Sequence, residues 1–166
     1  MIIINTGDGK GKTTAAIGQA IRAAGQGLRV KIIQLIKSGA SGELLVLQKI
    51  GINVEQYGLG FTEKGDKTLH KKAAERGMNA ISRAIDSSEF DMIICDEINY
   101  AVSGDLVSED SVINLIEQAN LQNVHLILTG RGATEKMIEV ADIVTEMYKI
   151  KHAFDNGVKA QEGIEY

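Results

Sequence analysis

Three glycines, two lysines and three threonines crowd into a short stretch near the start of the chain, Thr6-Gly7-Asp8-Gly9-Lys10-Gly11-Lys12-Thr13-Thr14. Glycines in such a turn let backbone amides face inward toward an anion, Lys12 adds a compact positive charge, and Thr13 offers a hydroxyl to a metal ion riding on phosphate. The apolar run Ile2-Ile3-Ile4 before the stretch predicts a buried parallel strand, and Ala15 to Ala24 after it predicts a helix. A glycine-rich turn in that setting reads as a polyphosphate loop, with Thr6 through Thr14 as nucleotide-binding residues. Only three residues separate Gly7 from Gly11-Lys12-Thr13, one fewer than in the G-x-x-x-x-G-K-T form. The cradle is therefore tighter, and it is expected to hold its nucleotide differently.

Carboxylates of the right kind follow later. Asp96-Glu97 ends the apolar run Met92-Ile93-Ile94-Cys95, where acids can reach a metal ion shared with Thr13 and phosphate oxygens. Adjacent side chains need not share a direction, so spacing alone does not decide which acid touches the metal. Glu97 is preferred, with Asp96 behind it. Arg22 falls well beyond the phosphate end of the first helix and reads either as a solvated helix arginine or as a nucleotide contact. Arg131, in Thr129-Gly130-Arg131-Gly132, suits a phosphate about as well as it suits solvent. His70 reads as a surface helix residue and His125 as a core or supporting one. Neither neighbours a serine or cysteine in a nucleophile arrangement, so covalent catalysis by the protein has no support. Cys95 is the sole cysteine, which excludes an intrachain disulfide and a thiolate metal cluster; its apolar neighbours predict a buried, inert thiol.

These residues need a scaffold, and the apolar runs supply one. Strands are expected at Arg29–Ile36, Ile52–Tyr57, Asp91–Cys95, Val124–Leu128 and Ile143–Ile150. Helices are expected at Glu43–Ile50, Asp66–Ile85, from a Ser108 cap to about Ala119, and at Thr134–Val140. Strands alternating with helices predict a parallel α/β sheet. In such a sheet ligands sit beyond the carboxyl ends of the strands. The phosphate loop, Lys37-Ser38-Gly39, the Gly60-Phe61 loop, Asp96-Glu97 and Thr129-Gly130-Arg131 all fall at such ends and can converge on one cleft. The 166 residues suit one domain spanning 1–166, with 44% hydrophobic and 24% charged residues. A formal net charge of −4 argues against a general nucleic-acid binder. No apolar stretch approaches the roughly 20 residues that span a bilayer, and the first strand lacks signal-peptide flanks, so a cytoplasmic protein without membrane partners is expected.

The chain resembles the ATP:corrinoid adenosyltransferases of cobalamin synthesis and salvage along nearly its whole length. The matching residues include Gly7 through Ala16 with the short loop, Arg22, Val30-Lys31-Ile32-Ile33-Gln34, Gly58-Leu59-Gly60-Phe61-Thr62 and Asp96-Glu97. They continue through Leu128-Thr129-Gly130-Arg131-Gly132, Lys151-His152-Ala153-Phe154-Asp155 and the block from Gly157 to Tyr166, which is far more specific than any phosphate loop. The resemblance implies a single-domain phosphate-loop NTPase-like (RecA-like) fold, with a mostly parallel six-stranded sheet flanked by helices. It also implies adenosyl transfer: a cobalt(I) corrinoid attacks the 5′-carbon of ATP and the whole triphosphate leaves.

By the same resemblance, ATP lies reversed relative to ordinary phosphate-loop enzymes. Lys12 and the loop amides steady the triphosphate, Thr13 and Glu97 hold magnesium (or manganese) with Asp96 beside them, and Arg22 contacts the nucleotide. Phe61 matches a family aromatic that displaces the lower ligand of cobalt, and Glu63 stands where enteric members have a tryptophan, so a purely apolar wedge is not implied. Enteric members also carry an extension before the first strand that covers the site, whereas this chain is expected to start directly with the strand. The corrinoid is a cobalamin, cobinamide or precursor; a flavin-type reductant protein and a homodimer are further expectations. Two other readings use the same residues: a small-molecule kinase or NTPase, which would release ADP or phosphate, and an ATP- or corrinoid-binding module without turnover.

Overall fold

The computed structural model describes residues 1–39, 41–60 and 66–164. One sheet contains β1 (Ile2–Thr6), β2 (Val30–Gln34), β3 (Asn53–Gln56), β4 (Met92–Asp96), β5 (His125–Thr129) and β6 (Ile143–Glu146). The strand order is β3-β2-β4-β5-β1-β6, and every pairing is parallel. Parallel neighbours require long crossovers. The helices in those crossovers are α1 (Lys12–Gly25), α2 (Gly42–Lys49), α3 (Lys67–Asp86), α4 (Ile98–Ser103), α5 (Glu109–Leu121) and α6 (Glu135–Glu139). None of these helices is long and apolar enough to cross a membrane.

Central strands of such a sheet are covered on both faces, which is why their sequences are almost continuously apolar. Successive side chains alternate between two cores. Val30, Ile32, Met92, Ile94 and Ile127 pack with Ala16, Ala20 and Ala23 of α1 and with Leu47 of α2. Ile33, Leu35, Ile93, Cys95, Leu126 and Leu128 pack on the other face with α3 and α5. Alanines along α1 and the small residues of α3 let both helices lie close to the sheet. At Gly77 of α3 any Cβ would run into the Leu35 side chain.

Several local expectations hold. Cys95 is buried, and burial pushes its thiol pKa up, so it is inert. Ser108 caps α5 by accepting a hydrogen bond from Ser111 N–H. Others are corrected. The first helix begins at Lys12 rather than Ala15, placing the loop lysine in its first turn. The short helix α4 was not foreseen. His70 is 6% exposed, not a surface residue, because the buried stripe Ala73, Ala74 and Gly77 of α3 begins one turn earlier. The last strand stops at Glu146 rather than Ile150. Its one neighbour, β1, gives way to the glycine loop after Thr6, so residues beyond Met147 have no ladder to extend.

Candidate active site

A row of polar side chains crosses the carboxyl end of the sheet. Gln56 of β3 is level with Gln34 of β2, and Gln34 with Asp96 of β4. One step past the pairing of Cys95 with Leu128, Asp96 meets Thr129 of β5, which is level with Asn5 of β1. The members from Gln56 to Thr129 hydrogen-bond in sequence. Gln56 Nε2 donates to Gln34 Oε1 at 2.8 Å, Gln34 Nε2 to Asp96 Oδ2 at 2.9 Å, and Thr129 Oγ1 to Asp96 Oδ1 at 2.7 Å. Asp96 is wholly buried, and such a carboxylate is tolerated only when its lone pairs are satisfied. Strand alternation puts it on the face shared with Met92 and Ile94, beneath α1. There Thr13 Oγ1 donates to Asp96 Oδ1 at 2.8 Å, joining the phosphate loop to the acidic strand.

Glu97 turns the other way. Its φ of 65° lies in the left-handed region, uncommon for a residue with a Cβ and found at functional sites. The turn ends β4, makes Glu97 the first flanking residue of α4, and brings its N–H to Thr129 Oγ1 at 2.9 Å. Glu97 lines the cleft above the loop while Asp96 stays beneath it. Burial, and then the nearby Asp96 charge, raise the Glu97 carboxyl above its ordinary pKa.

Lys12 is also buried, at 9% exposure, and burial lowers its pKa against the opposing pull of Glu97. Its Nζ donates to the carbonyls of Gly7 at 2.8 Å and Gly9 at 2.7 Å, so the ammonium sits inside the ring of the loop. The outside of that ring rests on the chain leaving β6. Met147 N–H donates to Thr6 O at 2.8 Å, and Gly9 N–H to Met147 O at 2.6 Å. A Cβ on Gly9 would stand 2.6 Å from Met147 O, and one on Gly7 2.5 Å from the same oxygen. Two of the three loop glycines are thus required by this close backbone contact. The Gly9 amide faces Met147, contrary to the expectation that glycine amides of the loop face the cradle. Thr6 lies behind the loop and accepts from Ala133 N–H at 3.2 Å. Asp8 is exposed and forms a 3.6 Å ion pair with Arg131.

The resulting cleft has a volume of about 470 Å³ and is lined by Lys10, Lys12, Thr13, Lys37, Glu43 and Glu97, with Gly11 and Thr14 completing the loop wall. Gly163 and Ile164 close one side, where Lys10 Nζ donates to Ile164 O at 2.6 Å. Lys37, expected with its strand end to reach the cleft, does line it, whereas Gln34, Gln56 and Asn5 were not singled out as site residues. Each is nevertheless a polar residue at the end of an apolar strand run, a signal readable once the strand order is known. Arg22 is not brought in: it is exposed near the far end of α1, with NH1 donating to Gln19 Oε1 at 3.4 Å. His125 opens β5 at the amino end of the sheet, away from the site, with Nδ1 3.2 Å from the amine of Met1. Phe61 and Glu63 lie outside the described residues.

Thr13 and Glu97 line one cleft, with Asp96 bonded to Thr13 beneath it, and these hard oxygen donors have a chemistry that suits magnesium or manganese. Among the described residues no group of three His, Cys, Asp or Glu side chains could hold a metal ion by itself. A cation here would draw its remaining ligands from phosphate oxygens and water, as magnesium commonly does.

Comparison with known proteins agrees with this geometry. The family model described as ATP:corrinoid adenosyltransferase BtuR/CobO/CobP matches residues 1–166. A corrinoid adenosyltransferase from a Sinorhizobium species is 39% identical over the whole chain, which covers 80% of that protein. The corrinoid adenosyltransferase of Escherichia coli K12 is 38% identical over the whole chain, covering 85% of its length. Corrinoid adenosyltransferase CobA of Salmonella typhimurium is likewise 38% identical over the whole chain, with 85% of its length covered. With a loop, an acidic strand end and a full-length match all in agreement, the chain belongs to the ATP:corrinoid adenosyltransferase family.

Proposed function

We propose that residues 1–166 form one catalytic domain that transfers the 5′-deoxyadenosyl group of ATP to the cobalt of a cobalt(I) corrinoid. The cobalt electron pair forms the bond to C5′, the C5′–O5′ bond breaks, and triphosphate departs with the bonding pair. Cobalt is formally oxidised from I to III in the same step. Cobalt(I) is itself the nucleophile, so no side chain has to remove a proton. The protein's task is to align cobalt, carbon and leaving oxygen, and to favour the charge that gathers on triphosphate.

Family membership combined with the meeting of Lys12, Thr13 and Glu97 at one cleft carries this reading. Lys12 would leave the Gly7 and Gly9 carbonyls for the phosphates, and Thr6 through Thr14 would surround them. Thr13 and Glu97 would hold magnesium, with Asp96 orienting the threonine hydroxyl from below. Bound there, the cation neutralises charge on the triphosphate. Arg22 as a nucleotide contact, Phe61 as the packing group beneath cobalt and Glu63 beside it follow from the family resemblance. So do a homodimer, a flavin-type reductant and a cytoplasmic setting.

The test is an anaerobic assay with ATP, magnesium and chemically reduced cobalamin, following the cobalt spectrum and the phosphate products together. Loss of the cobalt(I) spectrum with stoichiometric triphosphate and a light-sensitive product is expected. Release of ADP, or ATP binding without turnover on any cobalt(I) corrinoid, would overturn the reading.

A further inference from the structure

Lys37 follows β2 at the cleft wall, and its partners set it apart from the other cations there. Lys12 is engaged with loop carbonyls, Lys10 with Ile164 O, and Arg131 with Asp8. Lys37 Nζ instead lies 3.4 Å from Asp96 Oδ2 and 3.4 Å from Thr13 Oγ1, with Glu43 Oε1 at 4.0 Å. Asp96 is fully buried, and both its oxygens already accept neutral hydrogen bonds from Thr13, Thr129 and Gln34. Those bonds satisfy lone pairs but do not neutralise the charge, and a buried carboxylate needs a cation nearby. Lys37 supplies it, beside the Thr13 hydroxyl assigned above to the metal and the Asp96 carboxylate that orients that hydroxyl.

We propose that Lys37 is a tethered counter-ion that holds the Thr13–Asp96 oxygens in place and is exchanged for the divalent cation when the metal–nucleotide complex binds. Two positive groups cannot share these oxygens without strong repulsion. Metal arrival therefore displaces the ammonium, whose stem anchors it at the same cleft wall, and it turns to the triphosphate. The lysine charge thus opposes bare metal and favours bare polyphosphate. This inference rests on the reading of Thr13 and Glu97 as metal donors, with Asp96 orienting the threonine.

The opposite signs give the test. Binding of Mn2+ alone is followed by electron paramagnetic resonance, and binding of inorganic triphosphate with chelator present is followed by calorimetry, on the full chain. Lys37→Met is expected to tighten Mn2+ about tenfold and weaken triphosphate about tenfold, whereas Lys37→Arg, which keeps the charge, leaves both near wild type. A lysine that merely supports the fold would shift both affinities in the same direction in the Met variant, and that result overturns the proposal. Unchanged Mn2+ affinity in Lys37→Met, while Glu97→Gln weakens Mn2+, overturns the counter-ion role and leaves the metal donors standing. Mn2+ binding indifferent to Glu97→Gln removes the metal reading itself, and the Lys37 proposal with it.

Discussion

Thr129 and Thr13 donate to the same oxygen, Asp96 Oδ1, at 2.7 and 2.8 Å. One threonine ends a central strand and the other sits in the first turn of the helix above it. The carboxylate between them fixes the height of the phosphate loop over the sheet. Thr129 has a second role, because its oxygen also accepts from Glu97 N–H at 2.9 Å, at the left-handed turn that aims Glu97 into the cleft.

Thr129→Val therefore deletes two buried hydrogen bonds at nearly constant volume. It is expected to lower stability by about 2 kcal/mol, since an Asp96 lone pair and the Glu97 amide lose their partner. Urea unfolding measures this. Mn2+ affinity should fall in parallel, because both acids lose orientation; a stable variant with unchanged metal affinity would remove Thr129 from the site.

Lys12→Ala removes the charge from the centre of the loop. Turnover is expected to fall roughly 100- to 1,000-fold, the usual consequence of losing one preorganised group at a leaving charge. The split between kcat and KM in steady-state kinetics under saturating cobalt(I) corrinoid shows where Lys12 acts. A change confined to KM for ATP would mean that it binds ground state and transition state equally.

Glu97 imposes a pH dependence whose sign follows from its raised pKa. Above the ordinary value of 4.5 the unfolded chain has lost this proton while the native protein still holds it. Stability contributed by this group therefore falls as pH rises from 4.5 through the raised native pKa, and is level beyond it. Glu97→Gln is expected to remove that slope and to be more stable than wild type at neutral pH, while losing metal-dependent activity. Unfolding midpoints from pH 4 to 8 compare the two; parallel profiles would show that Glu97 is not desolvated.

Two glycine substitutions should behave in opposite ways. Gly9→Ala brings a methyl group against Met147 O, and pushing loop and β6 exit apart is expected to cost about 1–3 kcal/mol and to weaken ATP binding. Gly18→Ala, on the exposed side of α1 with no heavy atom within 4 Å of the new Cβ, is expected to gain about 0.5–1 kcal/mol through helix propensity. Thermal unfolding of the pair checks both signs.

Much of this was legible in the sequence, because it depends on local pattern. Apolar runs bounded by glycines and helix-length segments determined the alternating parallel architecture. Gly7 through Thr14 determined a phosphate loop, and the full-length resemblance determined the family. The solvent boundary of α3 was misjudged at His70, and the end of β6 at Ile150, because each depends on what lies alongside. What only the tertiary structure decided was partnership. Strand order brings Gln34, Asp96, Thr129 and Asn5, far apart in sequence, into one polar row. A single left-handed residue separates the directions of two adjacent acids. Two loop glycines are required by the close approach of the β6 exit, and Lys37 stands beside Asp96 and Thr13. Residue type and spacing dictate which elements form, since they act through local sterics and burial. Which side chains share a charge is a through-space property, and it exists only once the sheet has assembled.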